Sequence, residues 1–123
     1  MRKLLFFDID GTILSEGEKR YIPDSAVEAV HKLQQNGHLC FINSGRSWSE
    51  INDNIIDLGF DGFVCGCGME VQAGGRILHR ALPDPALCRR SRDLVRACGL
   101  DALYEATGSM ILDGTRPWGP QVE

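Results

Sequence analysis

The chain has no apolar run near the length of a membrane span. Nor does it show a signal peptide. The basic start Met1-Arg2-Lys3 leads into an apolar stretch that Asp8 and Asp10 interrupt too early. These absences argue against a membrane protein. A basic balance is also missing: 13 lysines and arginines stand against 17 acidic residues, for a net charge of -4. That argues against a general nucleic-acid binder. No internal repeat or low-complexity segment is visible, so an ordinary globular chain is expected. The cysteines do not come in an even number. Cys40, Cys65, Cys67, Cys88 and Cys98 make five. Without a secretion signal, this points to reduced thiols and a cytoplasmic protein. Cys65-Gly66-Cys67 has one intervening residue, fewer than zinc sites use. Cys88 and Cys98 fall on the apolar side of a predicted helix and are expected to pack there. His31, His38 and His79 have no ligand partner at a suggestive spacing and receive no role.

What remains is 123 residues, 43% hydrophobic and 24% charged, enough for a small domain with a modest core. The most informative run is Lys3-Leu4-Leu5-Phe6-Phe7-Asp8-Ile9-Asp10-Gly11-Thr12-Ile13-Leu14. Its apolar part reads as a buried parallel strand. The end of such a strand is where α/β sheets bind ligands. Side chains alternate along a strand, so Asp8 and Asp10 point the same way. Two carboxylates so close need a cation or a proton between them. Gly11 permits a sharp turn, and Thr12 offers a hydroxyl to an anion. A hard cation such as Mg2+ together with a phosphate suits this set.

The following pattern alternates. A polar loop covers 14–21, and a helix is predicted from about Pro23 to Asn36. Its apolar stripe is Ala26, Val27, Val30 and Leu33, and Gly37 ends it. A strand follows at Leu39 to Asn43. A second helix is predicted to open on the capping box Ser47-Trp48-Ser49-Glu50, with Ile51, Ile55 and Leu58 on one face. A third strand takes Gly62 to Cys65. This order implies a parallel sheet with right-handed crossovers. Then come a hairpin around Gly74-Gly75, a helix after Pro83-Asp84-Pro85 running to about Cys98, and a hairpin around Thr107-Gly108. The tail from Thr115 carries Pro117 and Pro120 and has no periodicity. At the end of the second strand, Ser44-Gly45-Arg46 combines a hydroxyl, a glycine, a cation and a following helix start. That set suits an anion, although Ser-Gly-Arg by itself also describes a capping turn.

Asp8-Ile9-Asp10-Gly11-Thr12 resembles the DxDGT signature of the haloacid dehalogenase (HAD) superfamily of phosphohydrolases. The element order resembles that superfamily's Cof-type branch, in which an α/β cap is inserted after the third core strand. The likeness extends from about Lys3 to Asp113. It implies an α/β fold: an incomplete Rossmann-like parallel core over 1–82, then the start of an α/β cap over 83–123. It implies that Asp8 is the nucleophile that forms an aspartyl-phosphate, and that Asp10 is the general acid and base. Asp8 and the Asp10 backbone carbonyl would bind Mg2+. Thr12, Ser44, Gly45 and Arg46 would hold the phosphate. The substrate would be a small phosphomonoester such as a sugar phosphate. Where relatives often carry an Asn-Gly pair facing the substrate, this chain has Cys67-Gly68.

Two further family motifs, a lysine and an acidic pair, have no counterpart here, since Lys32 is the last lysine and nothing after Asp113 resembles either. The expectation is a truncated chain that dimerises, exchanges elements or meets a complementary chain. Two other readings stand beside hydrolysis. One is an inactive remnant that binds phosphate or assembles with a partner. The other is a phosphomutase.

Overall fold

A computed structural model describes residues 1–106 and 108–114. Thr107, in the expected second turn, and the tail from Thr115 lie outside the described residues. Two compact units divide the chain, 1–81 and 82 onward.

The first unit is built on a five-stranded sheet in the order β1 (Leu4–Phe7), β2 (Leu39–Asn43), β3 (Gly62–Cys65), β4 (Glu70–Ala73), β5 (Arg76–Arg80). The first three are parallel, with Phe7 opposite Ile42 and Asn43 opposite Val64. The last two run antiparallel, joined at Gly74-Gly75. The sheet is therefore mixed, with the parallel part that the alternating pattern implied.

Helix α1 (Asp24–Gln35) links β1 to β2. Pro23 starts it in an extended conformation, Asp24 sits at the positive end of the dipole and Lys32 at the negative end. The connection from β2 to β3 departs from expectation. The capping box forms, with the Ser47 N–H donating to Glu50 Oε2 at 2.8 Å, but it heads only a 3-10 turn, Trp48–Glu50. Ile51 then leaves the helical region, with ψ 117°, and a separate short helix α2 covers Asp53–Ile56. The break sits where the Arg46 guanidinium takes the Glu50 carbonyl at 3.2 Å, a group that a continuous helix would have used internally.

Right-handed crossovers that advance in one direction put both helices on one face of the sheet. Val30 of α1 and Ile55 of α2 accordingly share one core with Ile9, Cys40, Ile42, Phe63 and Cys65. The opposite face is different. Leu4 and Phe6 of β1 are 57% and 54% exposed, and Phe6 stacks on Phe41 with ring centroids 5.3 Å apart. β1 is also one edge of the sheet.

Asp61 ties the layers together. Its Oδ2 accepts the Cys40 N–H at 2.8 Å and the Gln34 Nε2–H at 3.2 Å, so one carboxylate joins α1, β2 and the start of β3. Asp61→Ala would leave a backbone donor of the buried Cys40 without its partner. We expect a loss of about 1–3 kcal/mol in urea unfolding. A change below about 0.5 kcal/mol would show that water replaces the carboxylate at no cost.

Burial also sorts the cysteines. Cys40 is 0% exposed and Cys65 1%. Burial, then the Glu70 charge, pushes the Cys65 thiol up to about 11. Burial and then Asp61 raise Cys40 in the same direction. Cys67, Cys88 and Cys98 are exposed. A maleimide at pH 8 should therefore label those three in the native chain, with Cys40 and Cys65 reacting only after unfolding. Mass spectrometry that finds a fourth adduct as fast as the third would contradict this.

The second unit holds α3 (Pro85–Ala97) and the hairpin of β6 (Ala102–Ala106) with β7 (Ser109–Asp113). Asp84 caps α3, its side chain accepting the Ala86 N–H at 2.9 Å. Arg96 forks onto Asp113 at 2.8 and 3.0 Å. The expectation that Cys88 and Cys98 pack is overturned: both are exposed, as are Leu87 (56%) and Leu94 (65%). One helix and a two-stranded hairpin offer too little surface to bury the whole apolar side.

Candidate active site

The site is assembled from two neighbouring strand ends. β1 and β2 run parallel and in register, so Asp8 follows Phe7 beside the residues that follow Ile42. After Asp8 the chain winds into a tight turn. The N–H groups of Thr12, Ile13 and Leu14 all donate to the Ile9 carbonyl, at 3.2, 3.1 and 2.8 Å, and the Gly11 N–H donates to the Leu14 carbonyl at 2.9 Å. Ile9, Ile13 and Leu14 are buried, which anchors the turn in the core and leaves Asp8, Asp10 and Thr12 exposed. Gly11 has φ +76°, a left-handed conformation that glycine adopts freely.

The second strand end is braced from β3. The Ser44 N–H donates to the Val64 carbonyl at 2.9 Å. Two further bonds tie the turns after β2 and β3 together: Cys67 N–H to the Ser44 carbonyl at 3.2 Å and Gly66 N–H to the Arg46 carbonyl at 2.7 Å. Cys67 adopts a left-handed conformation, φ +54°, which asparagine tolerates far better than most side chains do. Ser44 is 6% exposed, and its Oγ accepts the Arg46 N–H at 3.2 Å. Gly45 is exposed, and a Cβ there would stand 3.6 Å from Cys67 Sγ.

The two ends meet through an ion pair spanning 36 positions of sequence. Arg46 Nε and Nη2 reach Asp10 Oδ2 and Oδ1 at 2.9 and 2.6 Å. Arg20 Nη1 adds a bond to Oδ1 at 3.1 Å. The hydrogen bond from Arg46 holds the Asp10 carboxyl below the usual carboxylate range, against a smaller opposing effect of burial. Asp10 therefore stays ionised at neutral pH. The same bond, then the charges of Asp10, Glu50 and Asp8, push the Arg46 guanidinium further up. Asp8 is thus within electrostatic reach of Arg46.

The sequence singled out Asp8, Asp10, Thr12, Ser44, Gly45 and Arg46 as site residues. The structure puts all six in turns that follow the ends of β1 and β2. Direct bonds join Asp10 to Arg46 and Arg46 to Ser44. Arg20 and Asn52 were not anticipated. Asn52 Oδ1 accepts Arg46 Nη1–H at 2.7 Å. Nothing in the local pattern marks either residue, because both meet the site across loops.

As a cation site, the turn offers the Asp8 carboxylate and the Asp10 backbone carbonyl. These are hard oxygens of the kind Mg2+ takes, alongside waters and substrate phosphate. The Asp10 carboxylate is already engaged by two arginines. No group of three or more His, Cys, Asp or Glu side chains converges among the described residues. A Mg2+ ion held by these two oxygens would take the rest of its shell from water and phosphate.

A family model described as haloacid dehalogenase-like hydrolase matches residues 5–116. The chain belongs to that family. Among individual haloacid dehalogenase relatives, it is 38% identical over 88 residues to the "Putative phosphatase YkrA" of Bacillus subtilis (strain 168). That match takes in 71% of this chain and 34% of the relative. The crystal structure of a hypothetical protein from Geobacillus kaustophilus HTA426 superposes with a TM-score of 0.83 at 30% identity, over 95% of this chain and 45% of that one. A subclass IIB sugar phosphatase of the superfamily, BT4131, shares the fold with a TM-score of 0.76 at 24% identity, over 89% of this chain and 43% of its own. The chain thus spans less than half the length of each of these proteins. No described helix is long and apolar enough to cross a membrane.

Proposed function

We propose that this chain carries the nucleophile and phosphate-binding turns of a Mg2+-dependent phosphohydrolase. It would hydrolyse a small phosphomonoester, such as a sugar phosphate, through an aspartyl-phosphate. The observation that carries this reading is the pairing of strand ends: Asp8 after β1 and the buried Ser44 after β2 lie on adjacent parallel strands in register. Family membership and the sugar phosphatase among the structural neighbours support it.

The Asp8 carboxylate would attack phosphorus, and the bond to the leaving oxygen would break. Asp10 would serve the proton transfers: with the phosphate dianion bound beside it the carboxylate would take up a proton from solvent, give it to the leaving alkoxide, and then take one from the water that hydrolyses the acyl phosphate. The Ser44 hydroxyl, the Gly45 backbone and Thr12 would hold the non-bridging oxygens. Arg46 supplies positive charge beside them. Bound Mg2+ would offset the mutual repulsion of carboxylate and phosphate.

The partner surface in this reading is the free edge of β1 with Leu4 and Phe6, where a second copy or an exchanged element would add. The odd number of cysteines supports a cytoplasmic location. The test is hydrolysis of p-nitrophenyl phosphate by the purified 123-residue chain, with and without Mg2+. Turnover that Mg2+ starts and EDTA stops is expected. A folded chain that binds phosphate without turnover would favour the remnant reading, and phosphoryl transfer to an added sugar in place of water would favour a mutase.

A further inference from the structure

We propose that Arg46 is a positioning residue for Asp10, itself held by Asn52, and that the phosphate is anchored by the Ser44 turn without the Arg46 side chain. This rests on the phosphohydrolase reading above. A guanidinium has five N–H donors in a fixed plane. In Arg46 the Nε–H and one Nη2–H grip the two oxygens of Asp10 at 2.9 and 2.6 Å. Both Nη1 hydrogens are also placed, on Asn52 Oδ1 at 2.7 Å and on the Glu50 carbonyl at 3.2 Å. One donor remains. A phosphate anchor presents several free donors to its ligand, whereas Arg46 commits four of its five to protein acceptors, with its side chain 18% exposed.

The geometry is that of a strut. A two-pronged grip fixes the plane of a carboxylate as well as its distance, which a single ammonium contact cannot do. The far end of the guanidinium is pinned at two points, both in the segment where the second predicted helix is broken. That break frees the Glu50 carbonyl and places Asn52 to meet Arg46, so the irregular connection has a use. Arg20 touches Asp10 as well, but its side chain is 62% exposed and it has a single bond there.

The same residue orients the phosphate side through its main chain. The Arg46 N–H occupies an acceptor site of the Ser44 oxygen at 3.2 Å, leaving the serine hydroxyl hydrogen free for an anion. One residue thus aligns both halves of the site, its backbone serving Ser44 and its side chain serving Asp10.

The experiment uses the 123-residue chain, inorganic phosphate as the probe and three variants: Asn52→Ala, Arg46→Lys and Ser44→Ala. Asn52→Ala should lower kcat by about tenfold or more, because misplacing a reacting group costs rate. It should leave KM and the inhibition constant for phosphate within about twofold of wild type. Arg46→Lys keeps the charge and loses the grip, so it should not rescue kcat. Ser44→Ala should weaken phosphate inhibition. A second readout needs no turnover. In 1H–15N spectra the Arg46 Nε–H should give a distinct, slowly exchanging resonance that broadens or vanishes in Asn52→Ala and does not move when phosphate is added. A tenfold loss of phosphate affinity in Arg46→Lys, or an Nε–H resonance that shifts on phosphate titration, would overturn the proposal. If wild type neither turns over nor binds phosphate, the phosphohydrolase reading fails, and the Asn52-dependent resonance still decides whether Arg46 is the strut.

Discussion

Asp8→Asn should cost the chain about 10^4-fold or more of the Mg2+-dependent phosphatase activity proposed for it, the scale seen when a covalent nucleophile is removed. The substitution keeps size and shape but removes the charge that would attack phosphorus and the oxygen that would bind the cation. It should do so without damaging the fold. Asp8 is exposed and lies just beyond β1, outside the ladder that pairs Leu4 to Phe7 with β2. The unfolding free energy should therefore stay within about 0.5 kcal/mol of wild type. Asp10→Asn is an instructive contrast, since it breaks the grip of Arg46 and should lower both activity and local order. A variant Asp8→Asn that keeps activity within about tenfold of wild type would rule out the aspartyl-phosphate route.

Gly62→Ala should be the most damaging single methyl group in the first unit. A Cβ at this position would stand 2.3 Å from the Gln72 carbonyl oxygen and 2.6 Å from the Phe41 ring. The carbonyl belongs to β4, which pairs with β3 from Gly62 opposite Ala73 to Cys65 opposite Glu70. The ring is held in turn by its stack on Phe6. To admit the methyl group, either the ladder between β3 and β4 must open or Phe41 must leave its place. Overpacking costs about 1–3 kcal/mol, and a methyl group driven against backbone falls at the upper end. That is a large share of the roughly 4–12 kcal/mol available to a unit of this size at 0.05–0.15 kcal/mol per residue. Urea unfolding followed by fluorescence in a Trp118→Phe background reads it directly, because the remaining Trp48 packs edge-on to Phe63 of β3 with centroids 5.2 Å apart. A shift below about 1 kcal/mol would mean that the ladder yields easily.

Strong local signals were legible in advance. β2 and β3 begin and end where the apolar runs bounded by glycine and polar residues placed them. The helix after Pro23 and the Gly74-Gly75 hairpin follow from dihedral preferences of one or two residues. The paired aspartates and the Ser44 turn were also visible, because each is a compact motif on one strand end. Contacts between motifs were not. Periodicity gives the face on which a residue lies and is silent on which arginine reaches which carboxylate across 36 positions. Hence Arg46 read as a cation beside the phosphate, and its grip on Asp10 was not legible. The second helix looked continuous because Ile51, Ile55 and Leu58 have helical spacing. A side-chain bond from Arg46, four residues earlier, takes the Glu50 carbonyl and competes with that helical preference. Likewise the spacing of Cys88 and Cys98 defined an apolar side without saying whether anything covers it.

The uncovered stripe of Leu4 and Phe6 on an edge strand has a thermodynamic consequence. A second copy that covered it would bind the folded chain and have no comparable site on the unfolded one. Mass action would then tie folding to association, adding RT ln(1 + [L]/Kd) to the stability. The melting temperature would become a property of the solution as much as of the sequence, climbing as the chain concentration rises past the dissociation constant.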